Sequence, residues 1–201
     1  METQTTQHNT KRPWTIGLAV GAALLLFAII AMLGYRFYMR MEYQSYKMVY
    51  PEWIQAYAKE YALDPYLVAA VIDVESDNRV QVASHKGAIG LMQIMPDTGE
   101  WIAGHLGEAY DEQRLRDPET NIRYGCWYLR FLMDRFSGVE PVLAAYNAGQ
   151  GNVRNWLQDA STSSDGRTLS HIPFPETAEY VERVLHSYER YQTLYPDVFG
   201  S

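Results

Sequence analysis

The sequence predicts an all-α fold, mainly helical and headed by one membrane-length helix, and three observations carry that prediction. Residues 14–35, WTIGLAVGAALLLFAIIAMLGY, form an uncharged apolar run of roughly the 20 residues needed to cross a bilayer. From about residue 49 onward, apolar side chains recur at helical spacing in successive segments, and almost nothing reads as strand. Most of those segments begin at a proline or stop at a glycine, the punctuation expected of helices.

In chain order, residues 1–13 are polar and read as a short cytoplasmic tail, with Lys11 and Arg12 near its end. The 14–35 run follows. Trp14 at one end, and Tyr35, Phe37 and Tyr38 at the other, resemble interfacial aromatic belts. The competing reading is a cleavable signal peptide. The run exceeds the usual apolar region of about 7 to 15 residues, and no clear A-x-A site follows, so an uncleaved single-pass anchor is expected. Lys11 and Arg12 favour an inside N-terminus, but Arg36 and Arg40 beyond the span blur the comparison. Residues 36–48 read as a juxtamembrane connector, either separate or continuing the helix.

The remainder, 49–201, reads as one domain. Trp53, Ala56, Tyr57 and Tyr61 give a helix begun near Pro51 and stopped by Asp64-Pro65. A strongly apolar helix starts after Pro65 and runs toward Glu75. Residues 84–95 are punctuated by Gly87 and Gly90, and Pro96 opens a helix to about Leu106. Asp117-Pro118 opens another, whose apolar face is Ile122, Cys126, Tyr128, Leu129, Leu132 and Met133, ending near Gly138. A helix from about Pro141 stops at Gly149, a short turn covers 152–157, and 160–166 is loop. The last helix, about 175–195, carries Val181, Val184, Leu185, Tyr188 and Tyr191 on one face.

Composition removes several functions. Lys and Arg number 17 against 24 Asp and Glu, for a net charge of -7, so no nucleic-acid footprint is expected. Cys126 is the single cysteine, which excludes an internal disulfide and any multi-cysteine zinc site. The five histidines include no closely spaced pair, and no P-loop, Rossmann fingerprint or G-x-S-x-G elbow occurs. Neither metal nor cofactor is expected. The 16 tyrosines and 5 tryptophans suit either sugar stacking or an aromatic-rich core, with the core as the default.

Glu75 is the candidate with the sharpest chemistry. At 3.6 residues per turn it lies above Val68, Val71 and Ile72, on the apolar stripe, while Asp73 projects over Ala69 and Ala70 with Asp77 one turn on. An anion near a helix C-terminus also opposes the helix dipole. Both effects favour the protonated form that a general acid needs near neutral pH. The plain alternative is a helix-end glutamate turned to solvent.

Further pieces follow in order: Ser76 beside Glu75, Gly90-Leu91-Met92-Gln93 in the glycine-rich segment, Ala145-Tyr146-Asn147-Ala148-Gly149 at a helix end, and Tyr180 within PFPETAEYVERV. Together with Ser84, Gly87 and Ala88, with Asn121-Ile122, Gly125 and Tyr128-Leu129, and with Trp156, this order resembles the lytic transglycosylases of the soluble lytic murein transglycosylase type. These form glycoside hydrolase family 23, related in fold to goose-type lysozyme. The resemblance covers about 50–195. Gly99, where alanine is the family expectation, and Cys126 are small departures.

The resemblance implies a lysozyme-like helical domain with a cleft for peptidoglycan glycan strands, and Glu75 as sole acid/base cleaving the MurNAc–GlcNAc β-1,4 bond. Carried over by motif, Gln93, Tyr146, Asn147 and Tyr180 would line the cleft, with Ser76 touching the same region. Each has a second reading. Gln93 could only stitch its loop, Asn147 could cap its helix, Tyr146 and Tyr180 could be core aromatics, and Ser76 could be a helix-end residue.

Ordinary glycosidases use two carboxylates, and Asp73 and Asp77 sit on the wrong helix face to oppose Glu75. A single carboxylate suffices when the MurNAc C6 hydroxyl is the nucleophile, leaving a 1,6-anhydro end. The alternatives are a hydrolytic muramidase on the same fold and a non-catalytic wall-binding scaffold. A murein substrate would place the domain outside the membrane, joined to the lipid bilayer through an N-in helix.

Overall fold

The computed structural model describes residues 13–200, so the expected tail lies outside the described residues apart from Pro13. Two compact units result, Met1–Ser45 and Tyr46–Ser201. In the first, α1 (Pro13–Ser45) is one helix of 33 residues that continues unbroken through Arg36 and Arg40, so the connector residues 36–45 continue the helix. Its stretch Gly17–Ser45 is long and apolar enough to cross a membrane, at a mean hydropathy of 2.5. Leu24, Leu25, Leu26 and Phe27 are all exposed, so its apolar surface is not used inside the unit.

The second unit is helical: α2 (Pro51–Glu60), α3 (Pro65–Ser76), α4 (Pro96–Leu106), a 3-10 turn (Glu112–Arg116), α5 (Pro118–Met133), α6 (Val139–Ala148), α7 (Gln150–Gln158) and α8 (Pro175–Leu194). Among the described residues the only β-structure is two isolated bridges, Ala83 with Ile89 and Ile89 with Ile94. Proline occupies the first turn of α2, α3, α4, α5 and α8, where its missing N–H leaves nothing unpaired. Asp64 and Asp117 cap α3 and α5 by accepting from Tyr66 N (2.8 Å) and Thr120 N (2.9 Å). α6 begins two residues before the expected Pro141 and ends at Gly149, so Asn147 is not its cap.

α3 is the hub. Leu67 through Ile72 are all buried, so the helix is covered on every side rather than along one stripe. Trimming Ile72 to alanine would cost about 2–5 kcal/mol, since neighbours this tightly packed cannot close the void. α8 lies antiparallel along α3, and polar bonds fix the register. Tyr188 Oη donates to Asp64 (2.7 Å), Tyr66 Oη to the Tyr195 carbonyl (2.6 Å) and Ser187 Oγ to Asp73 (2.8 Å). Gly99 is buried on the face of α4 turned to the 3-10 segment. A Cβ there would press on Leu115 and Tyr110 at 3.1 Å, so the missing side chain is what lets α4 approach the 3-10 turn. Cys126 is a wholly buried core residue.

Candidate active site

α3 presents Glu75 from its last turn. The helix stops because Asp77 and Asn78 both turn left-handed, at φ 53° and 59°. The Asn78 amide then donates to Asp73 (3.0 Å) and to Tyr191 Oη (3.3 Å), which ties the helix end to α8. Asp73 is half-buried and its carboxyl is raised, first by burial. It is occupied by Ser187 and Asn78 on the α8 side, while exposed Asp77 lies 3.8 Å from Arg79. Neither lines the cleft.

The segment 83–94 forms one wall, held by Asn121 of α5. The buried Asn121 amide accepts from Met92 N (2.7 Å) and donates to the carbonyls of Ile89 (2.9 Å) and Leu115 (2.8 Å). Gly90, at φ 82°, has room for no side chain, because a Cβ would collide with that amide. The turn brings Gln93 to the cleft at φ 46°. Its Nε2 donates to Val82 O (3.2 Å) and Gly90 O (2.8 Å), so Gln93 does stitch the loop, and its Oε1 remains for a ligand. From the other side, Tyr146 Oη donates to the Met92 carbonyl (2.8 Å), and Asn147 Oδ1 accepts from Thr177 Oγ1 (2.8 Å).

These walls enclose a cleft of about 490 Å³ lined by Glu75, Gln93, Tyr146 and Asn147, four of the six residues expected from the sequence. Tyr180 sits behind them. Its hydroxyl is buried beside the Glu75 carboxyl and steadies the anion, yet it reaches no partner at hydrogen-bonding geometry. Ser76 does not join the cleft. It is 2% exposed and donates to the Ile72 carbonyl (2.9 Å), because helical spacing from Glu75 turns it toward the core.

Burial pushes the Glu75 carboxyl from 4.5 to about 7, against the opposing effects of the Tyr180 hydroxyl and the Arg183 charge. Burial also raises Tyr146 and Tyr180 well above 10, so both remain neutral hydroxyls. Sequence reasoning did not single out the rim formed by Lys86, Met95, Phe174, Glu176 and Thr177. Lys86 and Glu176 approach to 3.8 Å and are exposed. Their charges carry no spacing pattern, and only the fold places the start of α8 opposite the glycine-rich segment. Among the described residues no three His, Cys, Asp or Glu side chains are placed to hold a metal ion.

The family model for the transglycosylase SLT domain matches residues 52–168. The chain is similar to the soluble lytic murein transglycosylase of Escherichia coli K12, 34% identical over 156 residues, covering 74% of this chain and 23% of that one. It is also similar to membrane-bound lytic murein transglycosylase C of Actinobacillus pleuropneumoniae, 33% identical over 111 residues, covering 50% and 30%. The 70 kDa soluble lytic transglycosylase of E. coli superposes with a TM-score of 0.69 at 30% identity, over 80% of this chain and 27% of that one. The chain thus spans about a quarter of the soluble E. coli relative.

Proposed function

The chain belongs to the transglycosylase SLT domain family, and from that premise we propose that it is a membrane-anchored peptidoglycan lytic transglycosylase. One observation carries the reading. A half-buried carboxyl, Glu75, faces a solvent-open cleft and is pushed by burial to about 7. Such a group can give a proton and take one back within a turnover.

In the proposed reaction, protonated Glu75 donates to the oxygen of the MurNAc–GlcNAc bond as C1–O breaks and GlcNAc leaves with a free O4 hydroxyl. The MurNAc N-acetyl group stabilises the electron-poor C1. The Glu75 carboxylate then takes the proton of the MurNAc C6 hydroxyl, whose oxygen bonds to C1 and closes a 1,6-anhydro ring. Glu75 ends protonated as it began, and no water is consumed. Gln93 Oε1, Tyr146 and Asn147 would bind and orient the N-acetyl sugars, with Tyr180 acting from behind on Glu75.

Hydrolysis is the second reading, because Glu176 places another carboxylate on the cleft rim. Its exposure and its pairing with Lys86 favour a binding role. Murein lies outside the cytoplasmic membrane, so α1 would anchor the chain with its N-terminus inside. The test is digestion of purified peptidoglycan by the full chain in detergent, beside Glu75→Gln, with mass-spectrometric reading of the released ends. Anhydro ends from the unaltered chain alone support the mechanism; reducing ends point to hydrolysis, and equal yields from both proteins sink it.

A further inference from the structure

The segment that follows α1 is bound by the last helix. Residues 46–48 belong to no helix, yet α8 holds their backbone at two points. Tyr195 Oη donates to the Tyr46 carbonyl (2.9 Å), and Tyr191 Oη donates to the Lys47 carbonyl (2.9 Å). The rings add to this. Tyr46 meets Tyr191 edge-on at 6.0 Å, Tyr191 stacks on Tyr195 at 6.0 Å, and Tyr46 Oη lies 3.3 Å from His186 Nδ1. Tyr191 stands in the last turn of α8 and Tyr195 caps it.

The Tyr191 hydroxyl also accepts from the Asn78 amide (3.3 Å). That amide donates to Asp73 (3.0 Å), whose other oxygen accepts from Ser187 Oγ (2.8 Å). Asn78 stands three residues beyond Glu75, in the left-handed turn that ends α3. Two successive left-handed residues persist only where their surroundings hold them. Tyr191 is wholly buried, a place where a phenol must find partners, and its partners come from two separate segments. One hydroxyl thus joins the Lys47 carbonyl to the turn behind Glu75. Tyr180 lies about three turns earlier on the same stripe of α8, beside Glu75 itself.

We propose that residues 46–48 help to position the acid: bound through Tyr191, they hold the turn at Asp77 and Asn78 and so keep the last turn of α3, with Glu75, seated against α8. The inference rests on the reading of Glu75 as the acid. Tyr191 lines no part of the cleft and acts as a positioning residue. The means is desolvation. With α3 held, Glu75 faces Tyr180 and Arg183 of α8, Tyr146 of α6 and the cleft, where Lys86 and Glu176 are the charges on the rim. Once the turn loosens, water reaches the carboxyl, which falls back toward its ordinary 4.5. The junction after the membrane-length helix therefore contributes to turnover, although it lies outside the cleft.

The test uses the full chain in detergent, with rates on purified peptidoglycan from pH 5 to 9 and thermal melting followed by circular dichroism. Tyr191→Phe keeps the buried ring and removes the hydroxyl. It should lower kcat about three- to tenfold with KM nearly unchanged, the worth of one or two modest hydrogen bonds. It should also move the alkaline limb to lower pH, opposite to the effect of removing the Tyr180 hydroxyl. Tyr46→Ala, which loosens the segment and leaves α8 intact, should reproduce both changes, and the double variant should add little to either single one. A lowered melting temperature with kcat and the limb unchanged would make Tyr191 a stabilising residue only, and overturns the proposal. So does a Tyr46→Ala protein that behaves as the unaltered chain. Should Tyr191→Phe fail to fold, Tyr46→Ala decides alone, since it trims only a half-buried ring. Absence of anhydro ends from the unaltered chain overturns the reading of Glu75 instead, and the positioning role with it.

Discussion

Tyr180 buries its hydroxyl against the Glu75 carboxyl across the α3–α8 interface, near enough to favour the anion but short of well-formed hydrogen-bond geometry. A buried hydroxyl left this way is costly, and a ligand oxygen or a tightened Glu75 contact would satisfy it. Four expectations follow from this pair and its surroundings.

Replacing Tyr180 with phenylalanine removes an interaction that favours the Glu75 anion. The alkaline limb of the rate profile should therefore move to higher pH, and turnover should fall by less than the roughly tenfold that one well-formed buried hydrogen bond is worth. Rates measured from pH 5 to 9 check both. A limb that moves down would contradict the placement.

For Glu75 itself, the first step of the proposed reaction needs the proton, so kcat/KM on murein should fall as pH rises through about 7. Glu75→Gln should lower the rate by about 10³-fold or more. Stability should change as well. The folded carboxyl holds its proton up to about 7 and the free one only to 4.5, so the folded state binds more protons across that window. Stability is then lost as pH rises through it, by on the order of 3 kcal/mol in total. Urea unfolding at pH 4.5 and pH 8 should show this decline, less whatever other groups contribute, and Glu75→Gln should lack that component.

Glu176→Gln separates the two readings of the reaction. If the rim carboxylate only binds, anhydro ends persist and KM rises a few-fold. Loss of all turnover would instead assign Glu176 a part in the chemistry.

Asn121→Ala should destabilise the domain by about 3 kcal/mol or more, because Met92 N and the carbonyls of Ile89 and Leu115 lose a buried partner together. Chemical denaturation followed by circular dichroism measures it. Cleft binding should weaken in parallel, since the same bonds hold Gln93 in place.

The helices were legible because prolines and glycines mark their ends, and Glu75 was legible because a carboxylate on an apolar helix stripe breaks a pattern. Other features came only with the fold. Ser76 follows Glu75 in every reading of the motif, but one residue along a helix is a turn of about 100°, and the core takes it. Periodicity gave α3 one apolar stripe, whereas packing covers its small-residue side too, since Ala69 and Ala70 let neighbours close in. Lys86 and Glu176 are 90 positions apart, and no local spacing joins them. Trp101 and Trp127 are half-buried against the core, the default expected for the chain's aromatics.

The register between α3 and α8 has a bearing on biosynthesis. Tyr180, Thr177 and the rim around Glu176 all come from the final helix, so a chain still emerging from the ribosome holds its acid residue but not the opposite wall. The candidate cleft is completed last, when α8 packs back against α3, a long-range closure in sequence. A chain cut short before α8 would display the apolar flank of α3 and lack the far rim of the cleft, leaving it open to proteolysis.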